Sequence, residues 1–507
     1  MFLYRKQNKS GSITIQIREK VGRKNQILKI IGTAKSETEL EDLILEAKNF
    51  LSSKTQQTSF DFSFSEDKLF IGSIKKSLKK IIVIGPELIL GKIFDEIGFA
   101  KIPGDLFRHL VISRLVYPDS KLKTVQYLLQ YKGIHTHEDR IYRYMDKFKL
   151  QYEQAAIETV FNHTKKILND NITISFYDIT TLYFEAAEED ELRKSRFSKD
   201  GKHQNPQILL ALLVAENGYP LAYEVFEGST YEGHTMIPVI QSFKEKYKIP
   251  TLVIVADAGL LSKENVKQLI ELDYPFILGG RIKNESQEIK NEIFSHSYTN
   301  KKTITIKKNE KVRLIVNYSS KRALHDEHNR RKGMARLEKR IKKGKLNKQS
   351  VNSRGYNKYL KLLNDINVEI DYKSFEEDKK WNGLKGYITN SDLSSKEVMN
   401  NYRQLWQIEK AFRISKTDLR IRPIYHRLER RIRTHVCLAF CSYKLYKELE
   451  RLLKQNEFYL STHQVLNALK TIYRMEIRLP ASGKKAVMLV PLTKAQEHIL
   501  NLFEIPC

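Results

Sequence analysis

Between residues 172 and 279 the apolar residues change their period in an order that few folds accommodate. ITISFY, QILLALLVA and YPLAYEVF read as three strands, TMIPVIQSFKEKY as a helix, LVIVA as a strand, SKENVKQLIEL as a helix and PFILG as a strand. Short links between the first three favour antiparallel pairing, and the later helices allow parallel crossovers, so the expected class is α/β with a mixed sheet. LVIVA is apolar without alternation, as a central strand covered on both faces should be.

The flanks read differently. SITIQIRE and QILKIIG form hairpin patterning about Gly22, with isoleucines on one face, and Ser36 with Glu39 makes a capping box for a helix striped by Leu40, Leu43, Ile44, Ala47 and Leu51. SSKTQQTSFDFSFSEDK is polar and is expected to be a linker. From Pro86 to Lys149 the pattern is helical, with breaks at Pro118 and Gly133; mixed basic and aromatic residues make it a candidate DNA-binding module, with Arg108, Arg114, Arg140 and Arg143 as candidate contacts. The expected division is a small α/β region with its linker over 1–80, a helical region over 81–165, a core over 166–280 and 396–450, a basic insertion over 281–395 and a C-terminal α/β region over 451–507. Within the insertion, TITIKK and KVRLIVNYS alternate as strands before the basic run RRKGMARLEKRIKKGKLNK, while RMEIRL, AVMLVP and TKAQEHILNLF predict two strands and a closing helix.

With 88 Lys and Arg against 60 Asp and Glu, the chain carries a net charge of +28 and suits a polyanionic partner, which would release counterions on binding. Three cysteines without a CxxC pair exclude a disulfide framework and make zinc unexpected; Cys437 and Cys441 read as small core residues. MFLYRKQNKSGS has no signal-peptide core, no run reaches a membrane span, and the expected location is the cytoplasm. There is no phosphate loop of the GxxxxGK kind and no internal repeat.

Against that background three carboxylates stand out. Asp178 is expected to end the strand ITISFYD, Asp257 ends LVIVAD, and Glu409 lies in the helical stretch YRQLWQIEKAFRISK. Carboxylates at strand ends and on a nearby helix can converge on two divalent metals, which position a water or hydroxyl and stabilise the leaving oxygen in phosphodiester attack. Tyr402, Glu409 and Lys416 follow a spacing of seven, which on one continuous helix drifts by only ~20° per step and places all three on one stripe.

The segments YDITTLYFE, VIVADAGLLSKEN and YRQLWQIEKAFRISKTDLRIRPIYHRLERRIRTHV resemble the three acidic motifs of bacterial insertion-sequence transposases of the DDE class, in the group with a Tyr, Arg, Glu, Lys motif. The resemblance runs from about residue 100 to 450. It implies a ribonuclease-H-like core interrupted by an insertion rich in β-structure before the Glu-bearing helix, and the stretch between Asp257 and Glu409 is indeed nearly twice that between the aspartates. Trp381, in KKWNGLKGYITN, would lead back into the core.

The resemblance implies that Asp178, Asp257 and Glu409 are catalytic and hold two magnesium or manganese ions, hard cations suited to carboxylate ligands. Tyr402 and Lys416 would grip DNA near the cut, and Arg422 belongs to the same segment. One position departs from the motif: Leu405 stands where the arginine is expected, and Arg413, one turn beyond Glu409, is the candidate substitute. In the insertion, Arg330, Arg331, Lys339 and Arg340 are expected to contact phosphates without reading bases. The implied activity is binding of terminal inverted repeats, cleavage of the ends and joining to target DNA, by a homo-oligomer in the synaptic complex. Two alternatives stay open at this stage, an inactive DNA-binding relic and a stand-alone metal nuclease.

Overall fold

The computed structural model describes the chain apart from residues 23, 55–61, 187, 196–203, 251, 353–354, 364–367, 480–481 and 507. It divides into two units, residues 1–82 with 473–491, and residues 83–472 with 492–507.

In the first unit, β1 (Phe2–Gln7), β2 (Ile13–Val21) and β3 (Lys24–Ala34) form an antiparallel sheet, followed by α1 (Glu37–Lys54), α2 (Phe62–Ser77) and β4 (Leu78–Val83). The predicted hairpin is present, turning at Gly22 with φ 64°, and Ile15 and Ile17 are fully buried against Ala47, Leu43 and Leu51 of α1. Ser36 Oγ accepts from the Glu39 N–H, while the Glu39 carboxylate reaches back to the Lys35 N–H. Helices occupy both ends of the expected linker; its middle, 55–61, lies outside the described residues. Strands Tyr473–Arg478 and Lys485–Leu489 pair with each other, and the first of them pairs with β4, so these residues group with the N-terminal unit.

The second unit opens with five helices: α3 (Gly85–Ile97), α4 (Asp105–Val116), α5 (Lys121–Lys132), α6 (Glu138–Gln151) and α7 (Glu153–Ile167). Gly133 ends α5 in the left-handed conformation, at φ 61°, where a side chain would be strained. Then come β5 (Ile174–Tyr183), β6 (Gln207–Val214), β7 (Pro220–Glu227), α8 (Met236–Tyr247), β8 (Val253–Ala256), α9 (Lys263–Glu271) and β9 (Phe276–Gly280), element for element as the periodicity predicts. Asp178 does not end its strand. β5 continues through Thr180, Thr181 and Leu182, β-branched and apolar residues that pair with β6 as far as Tyr183 opposite Gln207.

After α10 (Gln287–Ser295), β10 (Thr303–Lys307) and β11 (Arg313–Tyr318) lead into α11 (Ser320–Lys342). A small hairpin of β12 (Leu360–Leu362) and β13 (Val368–Ile370), then α12 (Tyr372–Glu377), return the chain through Trp381 to β14 (Leu384–Thr389). β14 pairs with β9 and β11, so the main sheet has eight strands in the order β10-β11-β14-β9-β8-β5-β6-β7. Three strands from 281–395 thus extend the main sheet, and the part outside it is α11 to α12, around Met334, Leu337, Tyr359, Leu360 and Ile370.

The closing elements are α13 (Ser395–Arg403), α14 (Trp406–Arg413), α15 (Glu429–Gln455), α16 (Thr462–Leu469) and α17 (Lys494–Leu502). Alternate residues of β6 face opposite layers: Ala211 and Leu213 pack with Met236 and Phe243 of α8, and Leu210 and Leu212 lie with Phe412 of α14 and Val436 and Phe440 of α15. The sheet is therefore covered on both faces, which explains why β6 and β8 are buried throughout. Cys437 and Cys441 are fully buried in α15. No helix among the described residues is long and apolar enough to cross a membrane.

Candidate active site

β5 and β8 are adjacent and parallel, with Tyr177 opposite Ala256. The next residues are Asp178, still within β5, and Asp257, the first residue after β8. Asp178 is also the partner of Leu212 on β6, and directly opposed residues share a face, so both aspartates belong to the face covered by α14. Phe176 precedes Asp178 on that face and is fully buried, whereas Asp178 is half-buried and Asp257 exposed: the apolar row opens to solvent where the carboxylates begin.

The third carboxylate arrives on a different element from the one its spacing suggests. YRQLWQIEKAFRISK is not one helix. Hydrogen bonds of the i to i−3 kind, from Gln404 N–H to Asn401 O, from Leu405 N–H to Tyr402 O and from Gln407 N–H to Gln404 O, tighten the chain between α13 and α14, and residues 414–418 form a wider π turn. The run is therefore two helices and a π turn in place of the one continuous helix that the spacing of seven assumes. α13 packs on β9, β14 and β8 and carries Tyr402; α14 packs on β5 and β6 and carries the exposed Glu409. Among the described residues no three His, Cys, Asp or Glu side chains form a ready-made metal-binding group.

Tyr402 is fastened to the site. Its hydroxyl donates to Asp257 Oδ1 at 3.0 Å, and its ring meets Tyr387 edge-on at 5.0 Å. Space for it comes from Gly279, the next strand's residue in the row of the aspartates, where a Cβ would lie 2.4 Å from the Tyr402 hydroxyl. Burial, reinforced by the Asp257 carboxylate, pushes the Tyr402 phenol above its usual range, so it stays protonated and donates.

Lys385, on β14 two residues before Tyr387, lies with its Nζ 4.4 Å from the Tyr402 ring centre. Burial and the nearby Arg322 and Arg403 lower its pKa, while Asp257 and Glu409 act in the opposite direction, so this amino group lies within electrostatic reach of both carboxylates. Lys385, Tyr387, Arg322 and Arg403 were not among the sequence candidates. The equal parity of Lys385 and Tyr387 was legible, but the neighbours of their strand were not.

The remaining candidates divide by burial. Leu405, at the motif's arginine position, is a core residue at 8% exposure, and Arg413 is exposed. Lys416 is half-buried in the π turn, and Arg422 lies over the Tyr183 ring at 5.4 Å, where Ile424 bridges Phe184 beyond the end of β5. Arg330 is a correction: it is buried, donates to the Phe375 carbonyl at 2.7 Å and pairs with Glu327, so it faces the core of its cluster rather than solvent. Arg331 is exposed although paired with Glu327 at 2.6 Å, and Lys339 and Arg340 are exposed on the same helix. In the helical layer Arg108 is occupied by Glu87 and Asp95, Arg114 points inward, and Arg140 and Arg143 are exposed on α6.

Among solved structures, the piggyBac transposase synaptic complex with hairpin DNA matches over 79% of this chain and 79% of that one, at 9% identity and a TM-score of 0.38. The Mos1 transposase paired-end complex with left transposon end matches over 31% of this chain and 58% of that one, at 9% identity and a TM-score of 0.16. No curated protein matches. The family described as Transposase DDE domain matches residues 171–445, a span that begins just before β5, ends within α15 and includes all three carboxylates. That is more than half of the 507 residues, and the chain belongs to the DDE transposase family.

Proposed function

We propose that this DDE transposase serves a bacterial insertion sequence of the Tyr, Arg, Glu, Lys group, binding terminal inverted repeats, cleaving the element's ends and joining them to target DNA in the cytoplasm. The observation that carries the reading is that Asp178 and Asp257 directly follow the paired residues Tyr177 and Ala256 of adjacent parallel strands, on the face that α14 covers with Glu409. In this reading the mixed sheet is a ribonuclease-H-like core, the segment from α11 to α12 is its insertion, and α3 to α7 form a DNA-binding region.

An all-carboxylate donor set on two central strands, where the apolar row opens to solvent, fits a hard divalent cation. Asp178, Asp257 and Glu409 would hold two magnesium or manganese ions, whose chemistry is to polarise the phosphodiester and stabilise the leaving oxygen. The protein's own contribution is orientation and charge. Tyr402 fixes one oxygen of Asp257. Lys385, with Arg403 and Arg322 in electrostatic range, offers positive charge to a phosphate beside the carboxylates. Lys416, Arg413 and Arg422 continue that surface along DNA, and Arg331, Lys339 and Arg340 of α11, with Arg140 and Arg143 of α6, hold phosphates further out. DNA ends are paired by a homo-oligomer.

The test is a paired assay on Asp178→Asn, Asp257→Asn and Glu409→Gln: gel shift on end-repeat DNA and magnesium-dependent nicking and strand transfer on the same substrate. Each variant is expected to bind DNA as the parent does and to lose nicking. Full nicking by any one removes that residue from the site, and nicks without joined products from the parent chain would make it a nuclease.

A further inference from the structure

Beneath the segment that follows the π turn, the interior collects more bases than acids. Arg114 of α4 and Lys121, the first residue of α5, are 5% and 6% exposed, and His435 of α15 is 5% exposed. Arg114 donates to His435 Nδ1 at 3.2 Å, and its other terminal nitrogen reaches the Leu419 carbonyl at 3.5 Å. His435 Nε2 lies 2.9 Å from the Ile421 carbonyl, so that nitrogen carries the proton and Nδ1 accepts: this histidine is neutral and serves to hold the guanidinium. His426, half-exposed, lies 5.3 Å from His435 with the two rings inclined at 63° and meets Tyr142 edge-on at 6.0 Å, forming the outer wall.

The nearby acids are already engaged. Asp119 pairs with Lys123 at 3.2 Å and accepts from the Ser120 N–H, and Asp146 is held by Arg430 and Arg431 at 2.9 and 2.8 Å. Among the described residues Lys121 has neither an ion pair nor a hydrogen-bond acceptor, although more than nine-tenths of it is buried. Two buried cationic side chains whose nearby acid, Asp119, is shared with Lys123 are under-compensated, and a core of this kind is stabilised when an anion completes it.

We infer that Arg114, Lys121 and His426 form an oxyanion site that takes a phosphate group, entering past His426 and Tyr142. The site is separate from the carboxylates and does not depend on their role. Burial draws Arg114 down to about 10 against the opposing pull of Asp119, and burial with neighbouring cations draws Lys121 well below its ordinary range and His426 to about 3; a phosphate among them would oppose all three shifts. The same chemistry has two sources, free phosphate and a DNA backbone phosphate. Ile424, in the strap that carries His426, bridges Phe184 beyond the end of the strand that bears Asp178, so a backbone phosphate held here would belong to DNA running past the catalytic face.

The probe is inorganic phosphate, added to the full chain at ionic strength matched with chloride, with thermal unfolding as the readout. Phosphate is expected to raise Tm of the parent and of Lys121→Arg, and Lys121→Gln is expected to weaken its apparent affinity about tenfold or more, as loss of one charge-assisted hydrogen bond does. His426→Asn, at the half-exposed wall, gives a second reading should Lys121→Gln fold poorly. A DNA arm follows duplex affinity against salt. A fall of about 0.9 in the log-log slope for Lys121→Gln identifies the ligand as a DNA phosphate, and an unchanged slope with an intact phosphate response identifies free phosphate. Equal phosphate responses in the parent, Lys121→Gln and His426→Asn overturn the site, whatever the nicking assay shows for Asp178, Asp257 and Glu409.

Discussion

The Tyr402 hydroxyl donates to Asp257 Oδ1 at 3.0 Å, and it can do so because residue 279, facing both from the next strand, is glycine. A methyl group at 279 would lie 2.4 Å from the hydroxyl and 2.9 Å from Ala258. Gly279→Ala is therefore expected to push the ring away, costing about 1–3 kcal/mol by overpacking, while Tyr402→Phe costs about 0.5–1.5 kcal/mol through removal of the hydrogen bond. Urea unfolding of both single variants and the double variant checks this. The costs should be clearly non-additive, because once the hydroxyl is gone the new methyl has less to strike.

The basic helix α11 provides a sharper contrast, because its charges are not equivalent. Met334 and Leu337 fix the buried face, on which Arg330 also lies, while Lys339 and Arg340 are exposed. Lys339→Gln with Arg340→Gln is expected to leave stability within about 0.5 kcal/mol and to lower the salt dependence of DNA binding by about 0.9 in log-log slope for each phosphate no longer neutralised. Arg330→Gln is expected to do the reverse, destabilising by about 1–3 kcal/mol through unpaired buried groups with the slope unchanged. Salt-titrated gel shifts and urea unfolding on the same preparations separate the two.

Acid should loosen the same cluster at one identifiable group. Burial disfavours the charge on Asp378, yet hydrogen bonds from Lys358, from Lys283 at 2.9 Å and from Tyr359 at 2.7 Å overcome it and hold the carboxyl down to about 2, from an ordinary 3.8. A depressed carboxyl stabilises the folded state above its unfolded pKa and loses that contribution as pH falls through the folded one, so the window is about pH 4 to 2. Discounted for solvent on its partly exposed partners, the contribution is about 1 kcal/mol. Unfolding free energies at pH 6 and pH 2.5 should differ less in Asp378→Asn than in the parent by about that amount.

How much of this was legible in the sequence depends on whether an element's fate is decided locally. β5 to β9 were readable because ITISFY, QILLALLVA and LVIVA declare their period within a few residues, and the two aspartates follow from where those runs stop being apolar. The pairing of β14 with β9 was not readable, since it joins Tyr387 to Gly279 across a long excursion and no short-range signal sets that register. The break at Gln404 and Leu405 was equally invisible: neither residue is glycine or proline, and the stretch is composed of good helix formers. Tertiary anchoring decides it, with Tyr402 tied to Asp257 on one side and Leu405 buried on the other. Because of the same break, the spacing of seven between Tyr402, Glu409 and Lys416 does not run along one continuous helix.

That break also changes which arginine should matter beside the carboxylates. If α13 and α14 were one helix, Leu405 and Arg413 would flank Glu409 by a turn each and could exchange roles. In the folded chain Leu405 is 8% exposed, so Leu405→Arg would bury a guanidinium and is expected to destabilise by about 3 kcal/mol or more instead of restoring a phosphate contact. Arg403 is exposed, adjoins Tyr402, and acts electrostatically on both Lys385 and Tyr387, whereas Arg413 acts on Tyr446, on the side of α15. Arg403→Ala is accordingly expected to reduce strand cleavage about tenfold or more, the worth of one charge-assisted hydrogen bond, and Arg413→Ala to reduce it less. Single-turnover nicking at saturating protein reads the difference without interference from binding. The opposite ranking would return Arg413 to the place left by Leu405 and leave Arg403 as a solvated charge.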